Sequence, residues 1–277
     1  MLPLSYEAIV DLALSEDLAS GDLTTESCIA PDAKAVAHAV ARKPMVACGG
    51  PVFARVFQKI DPRVSFEAHV EEGASVEWGA RLWSVRGSAR SILMGERTAL
   101  NFVQRMCGIA TISRTYVSAL HQGSRTRVID TRKTTPGMRA LERYAVRCGG
   151  AHNHRDNLGS AILIKDNHIE AAGSISAAID RAKQNAPHTT KIECEVDSLE
   201  GLDEAIAAGA DIVLLDNMDT VTVKEGVARA KGRVLLEASG GITLERVREL
   251  SEAGVDLISV GALTHSAPAV DIGLDFE

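Results

Sequence analysis

Residues 192–217 read IECEVDSLEGLDEAIAAGADIVLLDN, and this stretch contains one complete unit of the pattern that decides the fold. Two largely apolar runs, IECEV and DIVLLDN, flank the amphipathic segment SLEGLDEAIAAG, which ends in glycine. A largely apolar run is typical of a parallel strand buried on both faces, and a glycine after the last helical residue is a typical C-cap. Strand, helix and strand in this order predict a βαβ unit.

The same alternation extends in both directions through the second half of the chain. It predicts six strands: RVIDT (127–131), AILIKD (161–166), KIECEV (191–196), DIVLLDN (211–217), RVLLEAS (233–239) and DLISVG (256–261). The predicted helices between the later strands are SISAAIDRAKQNA (174–186), SLEGLDEAIAAG (198–209), TVTVKEGVARAKG (220–232) and TLERVRELSEAG (243–254). Such repetition implies a parallel sheet, either open or closed into a barrel.

Residues at the ends of the predicted strands favour the barrel. They are Thr131, Lys165, Glu195, Asp216, Ser239 and Gly261. The last four are separated by 21, 23 and 22 residues, so each occupies the same place in its βαβ unit. Barrel enzymes keep their active sites at the C-terminal ends of the strands. Six strands do not by themselves establish a complete eightfold barrel.

The first hundred residues follow another pattern. KAVAHAVARKPMVACGG, RVSFEAHV and ARLWSVRG predict antiparallel strands, followed by a long helix from about Ser88 to Leu120. We predict a separate N-terminal α+β domain over residues 1–108 and a catalytic α/β barrel domain over residues 109–264. The C-terminal tail, residues 265–277, is expected to pack back on the first domain.

Composition limits the classes of function. The chain has 277 residues with 45% hydrophobic and 24% charged residues, as ordinary globular proteins do, and its net charge of −7 argues against a duplex nucleic-acid binder. Its five scattered cysteines form no CxxC pair, which predicts reduced thiols in the cytosol. The N-terminus lacks a basic leader, and no apolar run approaches the length of a membrane span. We therefore expect a soluble cytoplasmic enzyme without a membrane partner.

The charge balance inverts between Arg125 and Lys165. This stretch holds nine Lys or Arg against three acids, a net charge of +6, which leaves −13 for the rest of the chain. Such local cationic density predicts an anion site. Three arginines at helical spacing (139, 143 and 147) are typical of a solvated helix face, whereas Arg132, Lys133 and Lys165 fall at strand ends and are candidates for binding.

The cations differ in what they recognise. Arginine pairs bidentately with carboxylates and phosphates, whereas lysine supplies a mobile point charge. Arg132 and Arg155 together with His154 would suit a small dianion. Lys133 and Lys165 would suit a diphosphate.

Two glycine-containing strand exits follow the last two strands. They are Ser239-Gly240-Gly241 and Val260-Gly261-Ala262. Glycine lets the backbone approach an anion closely, and the last two strands of a barrel frequently build a phosphate site. A single such exit would be interpreted as a plain turn, but two of them favour a phosphate site.

Glu195 and Asp216 are acids at the ends of neighbouring strands. They could bind ribose hydroxyls, hold Mg²⁺ or stabilise positive charge on a sugar carbon. The alternative is that they are helix N-caps or salt-bridge partners. Glu193 competes with Glu195 for the ribose role, and we expect Glu193 to point to the opposite face of the strand.

Seven ordered motifs resemble those of the quinolinate phosphoribosyltransferase family. They are ERTALNFVQRMCGIAT, IDTRKTTPGMRALERYAVRCGGAHNHR, ILIKDNHI, IECEVD, IVLLDNM, LEASGGI and ISVGALTHS, and the similarity covers nearly the whole chain. The resemblance implies a type II phosphoribosyltransferase fold, an N-terminal α/β sandwich followed by an incomplete α/β barrel. It also implies transfer of phosphoribose from phosphoribosyl pyrophosphate to quinolinate with loss of CO₂, using Mg²⁺, in NAD synthesis.

The resemblance assigns roles to the candidate residues. Thr131, Arg132, His154 and Arg155 would bind quinolinate, together with Arg97 from the partner subunit of a homodimer. Lys133 and Lys165 would face quinolinate and the pyrophosphate. Glu195 and Asp216 would lie by the ribose and the metal ion. The two turns would clamp the 5′-phosphate through Ser239, Gly240, Gly241, Val260, Gly261 and Ala262.

The sequence leaves three alternatives open. One is a sister phosphoribosyltransferase acting on another aromatic acid, such as nicotinate or the acceptor of the molybdate-operon relative. Another is a Schiff-base lyase of the aldolase type, with Lys165 as the nucleophile. The third is a catalytically inactive sensor of sugar phosphates.

Overall fold

The computed structural model describes residues 6–277 and divides the chain into two compact units. The first unit comprises the described part of Met1–Arg114 with Thr134–Gly150 and Ala262–Glu277, and the second comprises Thr115–Lys133 and Ala151–Gly261. The sequence pattern placed residues 109–114, 134–150 and 262–264 in the barrel domain, whereas all three segments belong to the first unit. The last two segments group with the first unit because local contacts hold them there: Arg105 donates to the buried Glu142 carboxylate at 2.7 Å and to the Thr264 carbonyl at 2.6 Å.

The secondary structure elements are as follows. Before residue 120 they are α1 (Glu7–Asp17), α2 (Leu23–Cys28), β1 (Lys34–Ala41), β2 (Met45–Val46), α3 (Gly50–Ile60), β3 (Ser65–Ala68), β4 (Ser75–Val76), β5 (Arg81–Ser88) and α4 (Ala89–Ser118). After it they are β6 (Arg127–Ile129), α5 (Arg139–Cys148), β7 (Ile162–Ile164), α6 (Asp166–Ala172), α7 (Ile175–Asn185), β8 (Ile192–Val196), α8 (Leu199–Ala208), β9 (Ile212–Asp216), α9 (Thr220–Ala230), β10 (Leu235–Ser239), α10 (Leu244–Ala253), β11 (Leu257–Ser259), α11 (Ala262–His265) and β12 (Ile272–Phe276).

The first unit contains a four-stranded antiparallel sheet in the order β12-β1-β5-β3. The last strand of the chain is therefore an edge strand of this sheet. Helix α3 contributes Phe53 and Phe57 to the core, and the Phe53 ring lies 5.3 Å from the Trp83 ring of β5. The short strands β2 and β4 pair with each other in a separate two-stranded sheet.

The second unit contains a six-stranded parallel sheet in the order β6-β11-β10-β9-β8-β7. All six predicted strands are confirmed. Within residues 6–277 the edge strands β6 and β7 do not pair with each other, so the sheet is an incomplete barrel. Three consecutive residues of β9, Val213, Leu214 and Leu215, are all buried, as expected for a strand covered on both faces.

The four predicted helices between these strands are also confirmed, and their ends follow local chemistry. The side chains of Ser174, Ser198, Asp219 and Thr243 cap the N-termini of α7, α8, α9 and α10. Gly209 and Gly254 end α8 and α10 in the left-handed conformation that glycine adopts without strain. None of the helices in the described range combines the length and apolarity needed to cross a bilayer.

Candidate active site

A cavity of about 620 Å³ lies at the C-terminal ends of the parallel strands in the second unit. It is lined by Thr131, Arg132, Lys133, His154, Arg155, Leu163, Lys165, Glu195, Leu214, Asp216, Asn217, Glu237, Ser239, Gly240, Gly241 and Ser259. Parallel strands end at one edge of a sheet, so residues far apart in the sequence meet there. The cavity therefore joins a cationic side, from residues 131–165, to an acidic side, from β8 and β9.

This one cavity is lined by most of the residues that the sequence pattern selected. Val260 and Gly261 are not among its lining residues, and Val260 is fully buried. Ala262 begins α11, which has only four residues. Arg97 is an exposed residue of α4 in the first unit. The binding roles of these four residues stay predictions.

Glu195 and Lys165 form an ion pair across the ends of β8 and β7. The Lys165 ammonium group donates to Glu195 Oε2, and both side chains keep some access to solvent. Neither Glu195 nor Asp216 caps the helix that follows it, because Ser198 and Asp219 do so. The N-cap alternative is thus excluded, whereas the salt-bridge alternative holds for Glu195.

The turn after β10 is built around Gly240. Its φ is 92°, and a Cβ at this position would lie 2.1 Å from Asn217 Oδ1, so only glycine fits without displacement. Asn217, itself at φ 55°, donates its backbone N–H to the Ser239 carbonyl at 3.0 Å and its side-chain amide to Asp216 Oδ2 at 2.8 Å. The amide thereby ties the Asp216 carboxylate to the glycine turn.

Asp130 fixes the segment that carries the histidine and the second arginine. Its carboxylate is fully buried and accepts hydrogen bonds from the His154 backbone N–H at 2.7 Å and the Asn153 amide at 2.6 Å. His154 Nδ1 accepts from the Arg155 backbone N–H at 2.6 Å. This bond leaves the ring proton on Nε2, which faces Glu193 at 3.1 Å.

Two buried glutamates lie behind His154. Glu193 of β8 is 4% exposed and Glu237 of β10 is 1% exposed. Burial, and next the charge of Glu193, raise the pKa of Glu237 to about 8, so this carboxyl group is protonated at neutral pH. Burial lowers the pKa of His154, but Glu193 and Glu237 outweigh it and the net shift is upward.

The expectation that Glu193 points away from Glu195 is wrong. Glu195 lines the cavity and Glu193 contacts His154, which lines the same cavity. Residues two apart in a strand point to the same face, so the two side chains form successive layers inside the incomplete barrel. Glu195 is the outer layer and Glu193 the buried one.

The two arginines near His154 are close enough to affect each other. Burial, and next the charge of Arg132, lower the pKa of Arg155. Arg155 Nη1 also donates to the Ala161 carbonyl at 3.1 Å, which fixes the guanidinium. Adjacent like charges held in place favour the binding of an anion between them.

The sequence interpretation missed several residues of the site. They are Asp130, Asn217, Glu237, Ser259 and the apolar Leu163 and Leu214. A period of two along the strands would have found Glu237, which precedes Ser239 by two positions. Asp130 adjoins Thr131, but its partners come from residues more than twenty positions later, and no local pattern indicates them.

Known proteins resemble this chain over nearly its whole length. The family model of the quinolinate phosphoribosyl transferase N-terminal domain matches residues 22–107, and that of the C-terminal domain matches residues 109–275. The probable nicotinate-nucleotide pyrophosphorylase (carboxylating) of Bacillus subtilis is 42% identical over 272 residues, which cover 98% of this chain and 93% of that protein.

Similarity in structure agrees with similarity in sequence. The crystal structure of NadC from Streptococcus pyogenes superposes with a TM-score of 0.95 at 39% identity, covering 100% of this chain and 99% of that one. The nicotinate-nucleotide pyrophosphorylase of Francisella tularensis superposes with a TM-score of 0.92 at 38% identity, covering 99% and 96% of the two chains. The chain therefore belongs to the quinolinate phosphoribosyltransferase family.

Proposed function

We propose that the protein is a pentosyltransferase that converts quinolinate and phosphoribosyl pyrophosphate into nicotinate mononucleotide, pyrophosphate and CO₂ for NAD synthesis. The observation that carries the proposal is one cavity in which fixed cations face carboxylates, in a chain that belongs to this family. Each substrate has a region of matching charge there.

The cationic side suits a small aromatic dicarboxylate. Arg132 and Arg155 offer planar guanidinium groups that pair bidentately with carboxylates. His154, anchored through Asp130, would add a third donor if its ring turned from Glu193 toward the substrate. A monocarboxylate would leave one of these partly buried cationic groups without an anion, which costs binding energy and favours quinolinate over nicotinate.

The acidic side suits the reacting sugar. Breaking the bond between C1 of the ribose and the pyrophosphate oxygen leaves positive charge on the sugar and negative charge on the diphosphate. Glu195 and Asp216 would stabilise the first charge, and Lys133 and Lys165 the second. Lys165 and Glu195 form an ion pair with each other, so the two opposite charges stand side by side in the cavity.

Magnesium fits the same part of the cavity. Carboxylate oxygens are ligands that Mg²⁺ prefers, and Asp216 and Glu195 both present them to a polar cavity. When bound, Mg²⁺ would neutralise charge on the diphosphate. Ser239, Gly240 and Gly241 would accept the 5′-phosphate, because nothing lies within 4 Å of the place where a Cβ of Gly241 would stand and an anion can approach the backbone there.

Decarboxylation follows from the transfer. Once the ring nitrogen carries the ribose it is cationic and can take up the electron pair that the departing CO₂ leaves on the neighbouring ring carbon, which then accepts a proton. The arginines hold the carboxylates in place during this step, so the protein contributes mainly positioning.

The Schiff-base alternative is not favoured. A lysine that attacks a carbonyl carbon needs a free lone pair, and Lys165 instead donates as an ammonium group to Glu195. Membership of the quinolinate phosphoribosyltransferase family also favours the transferase over the lyase.

We also propose that the enzyme works as a homodimer or a higher homo-oligomer in the cytoplasm. Arg97 is exposed on α4 and free to enter a partner's site, as the family resemblance implies. All five cysteines have free thiols, as expected for a protein in a reducing compartment.

The test mixes purified protein, phosphoribosyl pyrophosphate and Mg²⁺ with either quinolinate or nicotinate, and identifies products by mass spectrometry. We expect nicotinate mononucleotide and CO₂ from quinolinate alone. Reaction with nicotinate alone would refute the dicarboxylate assignment and leave the transferase. Inactivity with both would refute the proposed function, and borohydride trapping of an adduct at Lys165 would establish the lyase instead.

A further inference from the structure

A second cluster of reactive side chains lies within the first unit. Cys48 follows β2, Glu72 follows β3, and Cys148 is the last residue of α5. Their Sγ and carboxylate oxygen atoms all lie within 4.8 Å of one another. These residues come from three distant parts of the sequence, and the proposed transfer reaction uses none of them.

Arg114 of α4 holds two of these segments in place. Its guanidinium donates to the Gly73 carbonyl at 3.1 Å and to the Gly149 carbonyl at 2.9 Å, the residues that follow Glu72 and Cys148. The proximity of the two segments is therefore fixed by hydrogen bonds.

The N-terminus of helix α3 explains why an acidic residue lies at position 72. Its carboxylate accepts the backbone N–H groups of Gly49 at 2.8 Å and Gly50 at 2.8 Å, at the start of α3. These N–H groups have no partner within the helix, and an acid at a helix N-terminus is stabilising. The presence of Glu72 thus needs no metal ion to explain it, and the two thiols remain to be explained.

The two thiols differ in access to solvent. Cys48 is completely buried, whereas Cys148 is half-buried. Cys107 holds the backbone of Cys48: its sulfur donates to the Cys48 carbonyl and accepts from the Cys48 N–H, both at 3.2 Å. Cys107 thus contacts the backbone of Cys48, whereas the Cys48 side chain is hydrogen-bonded to Cys148. The Cys148 sulfur also lies 3.8 Å from Glu72 Oε2.

The environment separates the thiols chemically. A hydrogen bond from Cys48 lowers the pKa of Cys148, whereas burial and the charge of Glu72 raise it. A hydrogen bond from Tyr144 and the charge of Arg147 lower it further, and the net shift is downward. Burial raises the pKa of Cys48 well above its ordinary range. The sulfur of the less buried cysteine is therefore the more readily ionised one, and its buried neighbour keeps its proton, which is the arrangement of an attacking and a resolving cysteine.

We propose that Cys48 and Cys148 are a redox-active pair that a hydroperoxide oxidises to an intramolecular disulfide. The Cys148 thiolate attacks the terminal peroxide oxygen, the O–O bond breaks, and the alkoxide or hydroxide leaves and takes up a proton. The resulting sulfenic acid is attacked by the Cys48 sulfur, which releases its proton together with hydroxide as water. In total two thiols and one hydroperoxide give one disulfide, one alcohol or water molecule, and one further water.

The test uses the full-length protein, reduced and freed of reductant, then exposed to hydrogen peroxide. Remaining thiols are alkylated, and the peptides are mapped by mass spectrometry without reduction. We expect one peptide pair linked through Cys48 and Cys148, on a chain that runs as a monomer in a non-reducing denaturing gel. Cys28, which is exposed and distant from other sulfurs in the sequence, is expected to stay alkylatable.

Variants separate the roles of the two sulfurs. Cys48→Ser should abolish the disulfide and let a dimedone-type reagent trap sulfenic acid at Cys148, whereas Cys148→Ser should abolish both products. Cys28→Ser is the matched control and should leave the linked peptide at its wild-type yield. Because the direct mapping is done on the wild-type chain, a folding defect in Cys48→Ser would not prevent the test.

Three results would overturn the proposal. One is irreversible oxidation of Cys148 in the wild-type chain without any linked peptide. Another is a disulfide that joins two chains through Cys28. The third is stoichiometric binding of Zn²⁺ that protects Cys48 and Cys148 from alkylation when peroxide forms no disulfide, because the cluster would then be a metal site.

Discussion

Replacing Glu237 by glutamine tests the electrostatics beneath the cavity. Glu237 is 1% exposed, and burial together with Glu193 raises its pKa from an ordinary 4.5 to about 8. Between these values the folded protein keeps a proton that the unfolded chain has released. The free energy of unfolding therefore falls as the pH rises through this interval, and the stabilising contribution is complete only below the lower value.

The size of the effect follows from the shift. At about 1.36 kcal/mol per pKa unit, the interval between the two values corresponds to a loss of roughly 5 kcal/mol in the free energy of unfolding. Glu237 is hydrogen-bonded to Glu193, and the amide of glutamine, which is neutral throughout, can donate in place of the protonated carboxyl group. We expect Glu237→Gln to remove most of this pH dependence, so its stability relative to wild type should increase steadily between about pH 5 and about pH 8.

Urea unfolding of both proteins across this pH range measures the difference directly. Glu77→Gln, at an exposed position, is the matched control and should follow the wild type. If Glu237→Gln showed the wild-type slope, Glu237 would not hold the extra proton, and the assignment of a protonated carboxyl behind His154 would be refuted. At pH values above about 8, the KM for quinolinate should rise more in the wild type than in the variant. Glu237 then carries a negative charge in addition to that of Glu193, and this charge opposes the binding of the quinolinate dianion.

Three other changes have defined outcomes. Gly240→Ala should destabilise the protein by at least 1–2 kcal/mol for the left-handed backbone alone and lower kcat, because its Cβ displaces Asn217; unchanged kcat in a steady-state assay would contradict this. Lys165→Met should lower kcat by about 10²–10³-fold while the free energy of unfolding changes by less than about 1 kcal/mol, and an effect on KM alone would argue against its role in the transition state. Arg105→Met should cost about 3–5 kcal/mol in urea unfolding, since it leaves the fully buried Glu142 without its cation, whereas Arg105→Lys should cost less.

The sequence alone determined the strands and most of the site. Parallel strands buried on both faces need continuous apolar residues, and helices need caps, so both leave local patterns that can be recognised without the fold. The polar residues at the ends of those strands could be recognised in the same way. Lys165, Glu195, Asp216 and Ser239 were selected for that reason. They line one cavity because strands of a parallel sheet end at the same edge.

Only the tertiary structure decided the contacts and the protonation of the side chains behind that edge. Glu193 was assigned to the wrong face, although its spacing from Glu195 sufficed to place it. The support of His154 by Asp130, the protonation of Glu237 and the meeting of Cys48 with Cys148 could not have been inferred from spacing. The protonation of Glu237 depends on burial, and the other two features depend on contact between segments that lie 24 and 100 residues apart in the sequence. A sequence pattern reports only the periodicity of a residue's own segment, so it contains neither kind of information.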